Sequence, residues 1–180
     1  SNVVSSFFGV KFQRSIEELL VSPMPTYLIL TGFVLGGVVR GIIVGFLVLF
    51  TSLIFTDITV QNIPLTLFVV VMTAFLFSIA GFLNALFADN FDDINIVPTF
   101  ILTPLIYLGG VFYSVELLSN TWQIVSKANP LLYMVNAFRY GMIGVSDINV
   151  QFALLMIIIF IIAFFLLAYY LLKKGYGIRS

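Results

Sequence analysis

Asp89-Asn90-Phe91-Asp92-Asp93 packs more acid into five positions than any other stretch of the chain. Carboxylates spaced D-x-x-D at a helix end can hold Mg²⁺ and a diphosphate, which is the chemistry of membrane prenyl transfer. That reaction needs a second acidic motif facing the first. The acidic candidates for it, Glu17 and Glu18, lack the spacing. Asp92 and Asp93 fit better as caps of a helix starting near Ile94, where negative charge meets the positive end of the helix dipole. The chain has no His and no Cys. The commonest general base, the commonest zinc ligand, thiolate chemistry and a Ser–His pair are all absent. No catalytic constellation survives, so the chain is expected not to be an enzyme and to hold no metal or cofactor of its own.

Other residues stand out for position rather than reactivity. Arg40 lies inside an apolar run, where an ionisable group is costly and faces a bundle interior, water or, by snorkelling, the headgroups. Around it Gly32, Gly36, Gly37, Gly41 and Gly45 form GxxxG steps, which let a second helix approach closely. Close packing through Gly37, Gly41 and Gly45 is the expectation, with Arg40 bonded either to a neighbouring helix or to a substrate. In Val10–Pro25, Phe12, Ile16, Leu19 and Leu20 share one helical face. Ser15 and Glu18 have capping-box spacing, and Pro23 and Pro25 stop the helix. Interfacial helices carry Lys and Arg on their polar face. This one carries Glu17 and Glu18, which suits a basic protein partner better than anionic lipid. Further on, Asn136, Arg139 and Tyr140 make a polar stripe after Asn129-Pro130 and Tyr133. It lines a cavity in the outer leaflet or lies in the interface facing water.

The elements that position these residues follow from composition. Of 180 residues, 61% are hydrophobic and 9% charged, with a mean hydropathy of +1.16. A soluble domain carries about 25% charged residues. A soluble domain is excluded, and so is a nucleic-acid binder, which needs a basic face. The lipid bilayer is the solvent. A spanning helix takes about 20 apolar residues, and four segments qualify: 28–55, 64–88, 94–113 and 152–172. None alternates as a barrel strand would. The fold class is therefore an all-α integral membrane protein in one transmembrane domain. Residues 114–151 are too polar for a span and too apolar for a free loop, so they read as a re-entrant helical hairpin. Lys11, Arg14, Lys173, Lys174 and Arg179 lie on the side of the termini, against Lys127 and Arg139 on the other. That bias places the termini in the cytoplasm. Ser1–Phe8 has no signal-peptide features and reads as the end of a preceding span.

Two blocks of sequence resemble one family. Ile16-Glu17-Glu18-Leu19-Leu20-Val21-Ser22-Pro23 resembles the E-x-L-L-x-S-P segment of bacterial type-2 ABC transporter permeases. Pro104 through Tyr113, ending Gly109-Gly110-Val111-Phe112-Tyr113, resembles their fifth helix. Trp122, Asn129-Pro130-Leu131, Tyr133 and Phe138-Arg139-Tyr140 resemble the stretch that follows it. The resemblance implies a six-span family with cytoplasmic termini, of which this chain carries the last four spans. It implies a homodimer in the bacterial cytoplasmic membrane, paired with separate ABC ATPase subunits that hold the ATP and Mg²⁺. Phe12, Ile16, Glu17, Glu18, Leu19 and Leu20 would form the coupling helix seated in the ATPase. Trp122, Pro130, Tyr133 and Arg139 would belong to the re-entrant outer-leaflet hairpin. The implied function is ATP-driven export of a drug, lipid or glycan-like substrate. A prenyltransferase-like enzyme and an ion-coupled transporter are the competing classes; the latter would want acidic residues at mid-membrane.

A chain without native Cys suits single-cysteine labelling. Cysteines at Lys11, Asp92 and Lys174 are expected to react only from the cytoplasmic side, and those at Asn62 and Trp122 only from outside. Outside labelling at 174 would overturn the four-span topology.

Overall fold

The computed structural model describes residues 2–12, 25–55, 60–90 and 92–176, and every regular element among them is helical. Helix α1 is Asn2–Phe12, α2 Thr26–Phe55 and α3 Ile63–Phe87. Helix α4 runs Asp93–Leu108, with a π-helical turn at Val97–Leu102. A 3₁₀ turn, Val115–Leu117, leads to α5 (Asn120–Lys127), α6 (Pro130–Ile143) and α7 (Val150–Lys173).

Three of these, α2, α3 and α7, are long and apolar enough to cross a membrane. At 30, 25 and 24 residues they reach about 36–45 Å, against a hydrocarbon layer of about 30 Å. Helix α4 is apolar but shorter. The span expected over 94–113 stops at Leu108 because Gly109 and Gly110 follow, the latter at φ 72°, a left-handed conformation that glycine adopts without strain. The prolines shape its interior as well. Pro104 has no N–H to donate, and the Thr103 N–H reaches five residues back to the Pro98 carbonyl, the bond that defines a π turn.

Helix α3 is the spine. Toward its C-terminal end, Ile79, Phe82 and Leu86 bury against Phe7 and Phe8 of α1, Leu30 and Val34 of α2, and Ala168 and Leu172 of α7. The Phe7 ring lies 4.4 Å from Phe82 and 5.1 Å from Phe33. Toward its N-terminal end, Val69 and Leu76 pack on Leu131, Met134 and Ala137 of α6 and Ile157 of α7. One end of the bundle thus holds α1 and the 88–94 connection, and the opposite end holds the α5–α6 hairpin.

Helix starts are set by asparagine. Asn62, Asn129 and Asn149 cap α3, α6 and α7 through side-chain oxygens that accept from Leu65, Leu131 and Phe152 N–H groups. Pro64 and Pro130 occupy the first turns of α3 and α6, where a missing donor costs nothing. The acidic cluster works differently from the capping role read in the sequence. Asp92 makes no side-chain cap bond. Asp93 Oδ2 turns back to accept from the Asp89 and Asn90 N–H groups at 3.0 and 2.9 Å. It closes the α3–α4 turn, and buried Asn84 ties that turn to α4 by donating to the Ile94 carbonyl at 2.9 Å.

The α2 glycines divide by face. A Cβ at Gly37 would strike Ser78 Oγ and Val3 Cγ2; one at Gly41 would sit 3.3 Å from Ala74 Cβ, and one at Gly45 3.9 Å from Val70. Gly32 and Gly36 face open space. Ser78 also donates to the Val34 carbonyl at 2.7 Å, which holds α2 and α3 at this separation. Gly37→Leu is expected to cost about 1–3 kcal/mol by overpacking, read as a lower melting point of the detergent-purified protein. Gly36→Leu should melt like the wild type, and equal melting of the two variants would contradict the face assignment.

Candidate functional site

The richest polar arrangement is built on α6. Asn129 ends the preceding turn, Pro130 fixes the first helical φ, and Gly144 at φ 74° terminates the helix. One side of α6, carrying Leu132, Tyr133, Asn136 and Ala137, is buried. Gly141 is required by proximity to α3, because a Cβ there would lie 3.2 Å from Thr66 N. The backbones are joined where they meet: Gln61 N donates to Met142 O at 3.1 Å and Asn62 N to Gly141 O at 2.9 Å.

Side chains of α6 then hold everything that has left regular structure nearby. Asn129 Nδ2 donates to the Leu105 carbonyl at 2.6 Å, late in α4. The Tyr133 hydroxyl donates to the Lys127 carbonyl at 2.5 Å, closing the end of α5. Burial pushes its pKa above the ordinary tyrosine value. Asn136, fully buried, accepts from Asp147 N at 2.8 Å and donates to Leu132 O at 2.9 Å. Arg139 reaches both ways. Nη1 pairs with Asp147 Oδ2 at 3.2 Å, and Nη2 donates to the Gly110 carbonyl at 2.6 Å. The guanidinium fork is suited to bridging a carboxylate and a carbonyl together.

Beside this clamp an open-sided cavity of about 700 Å³ lies between α2, α3 and α6. Gly41 of α2, Val70, Ala74 and Phe77 of α3, and Phe138 and Arg139 of α6 are among the residues that line it. The lining is apolar apart from Thr73 and Arg139. With the Arg139 charge balanced by Asp147, the arrangement favours an apolar occupant over an anion.

The residues singled out in the sequence are dispersed. Phe12 closes α1, while Ile16, Glu17, Glu18, Leu19 and Leu20 lie outside the described residues. Gly37, Gly41 and Gly45 lie along the α3-facing side of α2. Arg40 is exposed midway along α2 and is not among the residues lining the cavity. Trp122 is exposed on α5, apart from the clamp. Pro130, Tyr133 and Arg139 do meet in one element, and Gly41 shares the cavity with Arg139. Asn129, Asp147 and Gly110 were not read as site residues. Asp147 carried a signal, since it lies eight positions from Arg139 in a stretch with few charges. Gly110 acts through its carbonyl, which no side-chain pattern reveals.

Comparison with known proteins places these elements in context. The profile of a family described as ABC-2 type transporter matches residues 1–143. Over all 180 residues the chain is 52% identical to the inner membrane transport permease YadH of Escherichia coli strain K12, covering 70% of that protein. The same identity and coverage hold for YadH of Escherichia coli O157:H7 and of Shigella flexneri. No solved structure matches the chain.

Removing the Arg139 side chain leaves a carboxylate and a carbonyl unpaired where water is scarce. Arg139→Ala is expected to cost about 1–3 kcal/mol. A double-mutant cycle with Asp147→Ala should give a coupling above about 0.5 kcal/mol. Strict additivity would show that the pair contributes nothing.

Proposed function

The chain belongs to the ABC-2 type transporter family, and we propose that it serves as the membrane half of an exporter driven through residues 16–20. It is a transmembrane permease subunit of an ABC transporter, a multi-pass protein of the inner membrane with several apolar helices. The family implies an ABC ATPase as its partner. ATP and Mg²⁺ would sit on that partner, and the permease would act as a homodimer without catalysis of its own.

The observation that carries the mechanical reading is the continuity of α3. Its C-terminal half packs on α1 and its N-terminal half on α6, so displacement at one end of the bundle is transmitted to the other through one close-packed helix. Helix α4 supports four crossings. It starts beside Ala88 and Leu172 and finishes against Leu131 at the opposite end. With Lys173 and Lys174 at the end of α7 on the α1 side, the basic bias puts that side in the cytoplasm. The α5–α6 hairpin then dips into the outer leaflet. Its broken backbone is tolerable because the clamp satisfies it. Nucleotide-driven closure of the ATPases would bias the bundle between two arrangements. Glu17 and Glu18 would meet basic groups of the ATPase, with Phe12, Ile16, Leu19 and Leu20 as the apolar anchor.

The test is charge reversal. A carboxylate paired at a partly desolvated interface matters by about 2–5 kcal/mol when its partnership is broken, whereas an exposed one matters by under about 1 kcal/mol. Glu17→Lys with Glu18→Lys is expected to leave membrane levels unchanged and to abolish co-purification of the ATPase subunit. Leu20→Asp should do the same. Wild-type association in the double reversal would reduce the segment to an interfacial helix.

A further inference from the structure

Helix α4 is held in an unusual way. Ile94 is buried at its start, yet from Asn95 to Leu108 no residue is buried, and Phe100 is 73% exposed. Among the described residues its polar attachments sit at its two ends. At the start, Asn84 donates to Ile94 O. At the far end, Asn129 donates to Leu105 O, Gly109 presses on Leu131, and Arg139 donates to Gly110 O. Between them lies the π turn Val97–Leu102, with Pro98 in it and Pro104 after it. Helices bend most readily at such turns and prolines.

The two polar tethers at the far end differ in kind. Asn129 is 2% exposed and also caps α6, so it belongs to the permanent architecture. Arg139 is 22% exposed, and Asp147 holds its other nitrogen. Its acceptor, Gly110, lies beyond the helix terminus and farther from the π turn than Leu105. The bond to Gly110 is therefore the tether with the longest lever on α4 and the one that can open without unfolding α6. We propose that Arg139 is a latch: it positions the far end of α4 through the Gly110 carbonyl, and opening that bond lets α4 swing about the π turn as the permease changes state. Asp147 sets the latch by orienting the guanidinium. The swing rests on the permease reading above; the latch itself does not.

The test uses the full-length permease with its ATPase subunit in lipid nanodiscs, with cysteines introduced for spin labels. One pair joins Phe112, beyond the latch, to Leu155 on α7; a control pair joins Ile63 to Leu155. Without nucleotide, the Phe112–Leu155 distance distribution should be narrow in the wild type. It should lose its narrow component in Arg139→Ala and Arg139→Lys, while the control pair stays unchanged. Arg139→Asp combined with Asp147→Arg keeps the opposite charges as a pair but removes the donor from position 139, which holds Gly110. This exchange should recover thermal stability and still release Phe112. Trapping the ATPase with ATP and vanadate should shift the Phe112 distance in the wild type and leave the control pair fixed. A narrow distribution in Arg139→Ala overturns the latch. So does an exchange variant that recovers both stability and the narrow distribution, since Arg139 would then be an ordinary structural ion pair. A wild-type distance indifferent to vanadate overturns the swing while leaving the nucleotide-free result to judge the latch separately.

Discussion

Hydrocarbon offers no hydrogen bonds, so wherever a chain of this composition leaves a helix its backbone must find partners within the protein. That constraint explains where the polar residues are spent. Asn62, Asn129 and Asn149 satisfy the starts of three helices. Asn84 and Asp93 close the turn at the other end of the bundle. Arg139, Tyr133 and Asn136 take up the carbonyls and N–H groups that the hairpin frees. A chain with 9% charged residues has few such groups. Those buried near the hairpin serve the backbone before they serve any ligand.

The apolar majority arranges itself around α3. Between helices in lipid the driving force is packing rather than escape from water. Contact geometry therefore matters more than hydrophobicity. Gly37 and Gly41 bring α2 against Ser78 and Ala74, Gly141 brings α6 against Thr66, and the Phe7–Phe82 contact fixes α1. Among the described residues, the polar tethers of α4 lie at its two ends, on Asn84, Asn129 and Arg139.

Some of this was legible before any fold was known. Membrane class, helical type and family follow from hydropathy, run length and two motif blocks, because lipid leaves a chain little choice of secondary structure. The glycines were identified, with Gly37, Gly41 and Gly45 singled out for close packing, but what they meet was not. Only the position of α3 and α1 shows that a Cβ at Gly37 would strike Ser78 and Val3 while Gly32 and Gly36 face open space. The acidic cluster was read as a forward helix cap, whereas Asp93 binds backward to Asp89 and Asn90. A carboxylate at this spacing can reach N–H groups on either side of it, and spacing alone does not choose between them.

Composition by itself determined that the chain lives in a bilayer as helices and that His and Cys chemistry is closed to it, since those conclusions need only counts and runs. Pro64 and Pro130 mark the starts of α3 and α6 in the sequence itself, because Pro acts on its immediate neighbours. What joins Arg139 to Gly110, 29 positions away, or Asn129 to Leu105, 24 away, is not a local property. Those bonds exist because α4 returns to the hairpin end of α3. Leu105 and Gly110 sit at and beyond the C-terminal end of α4, where the helix no longer supplies donors to its carbonyls.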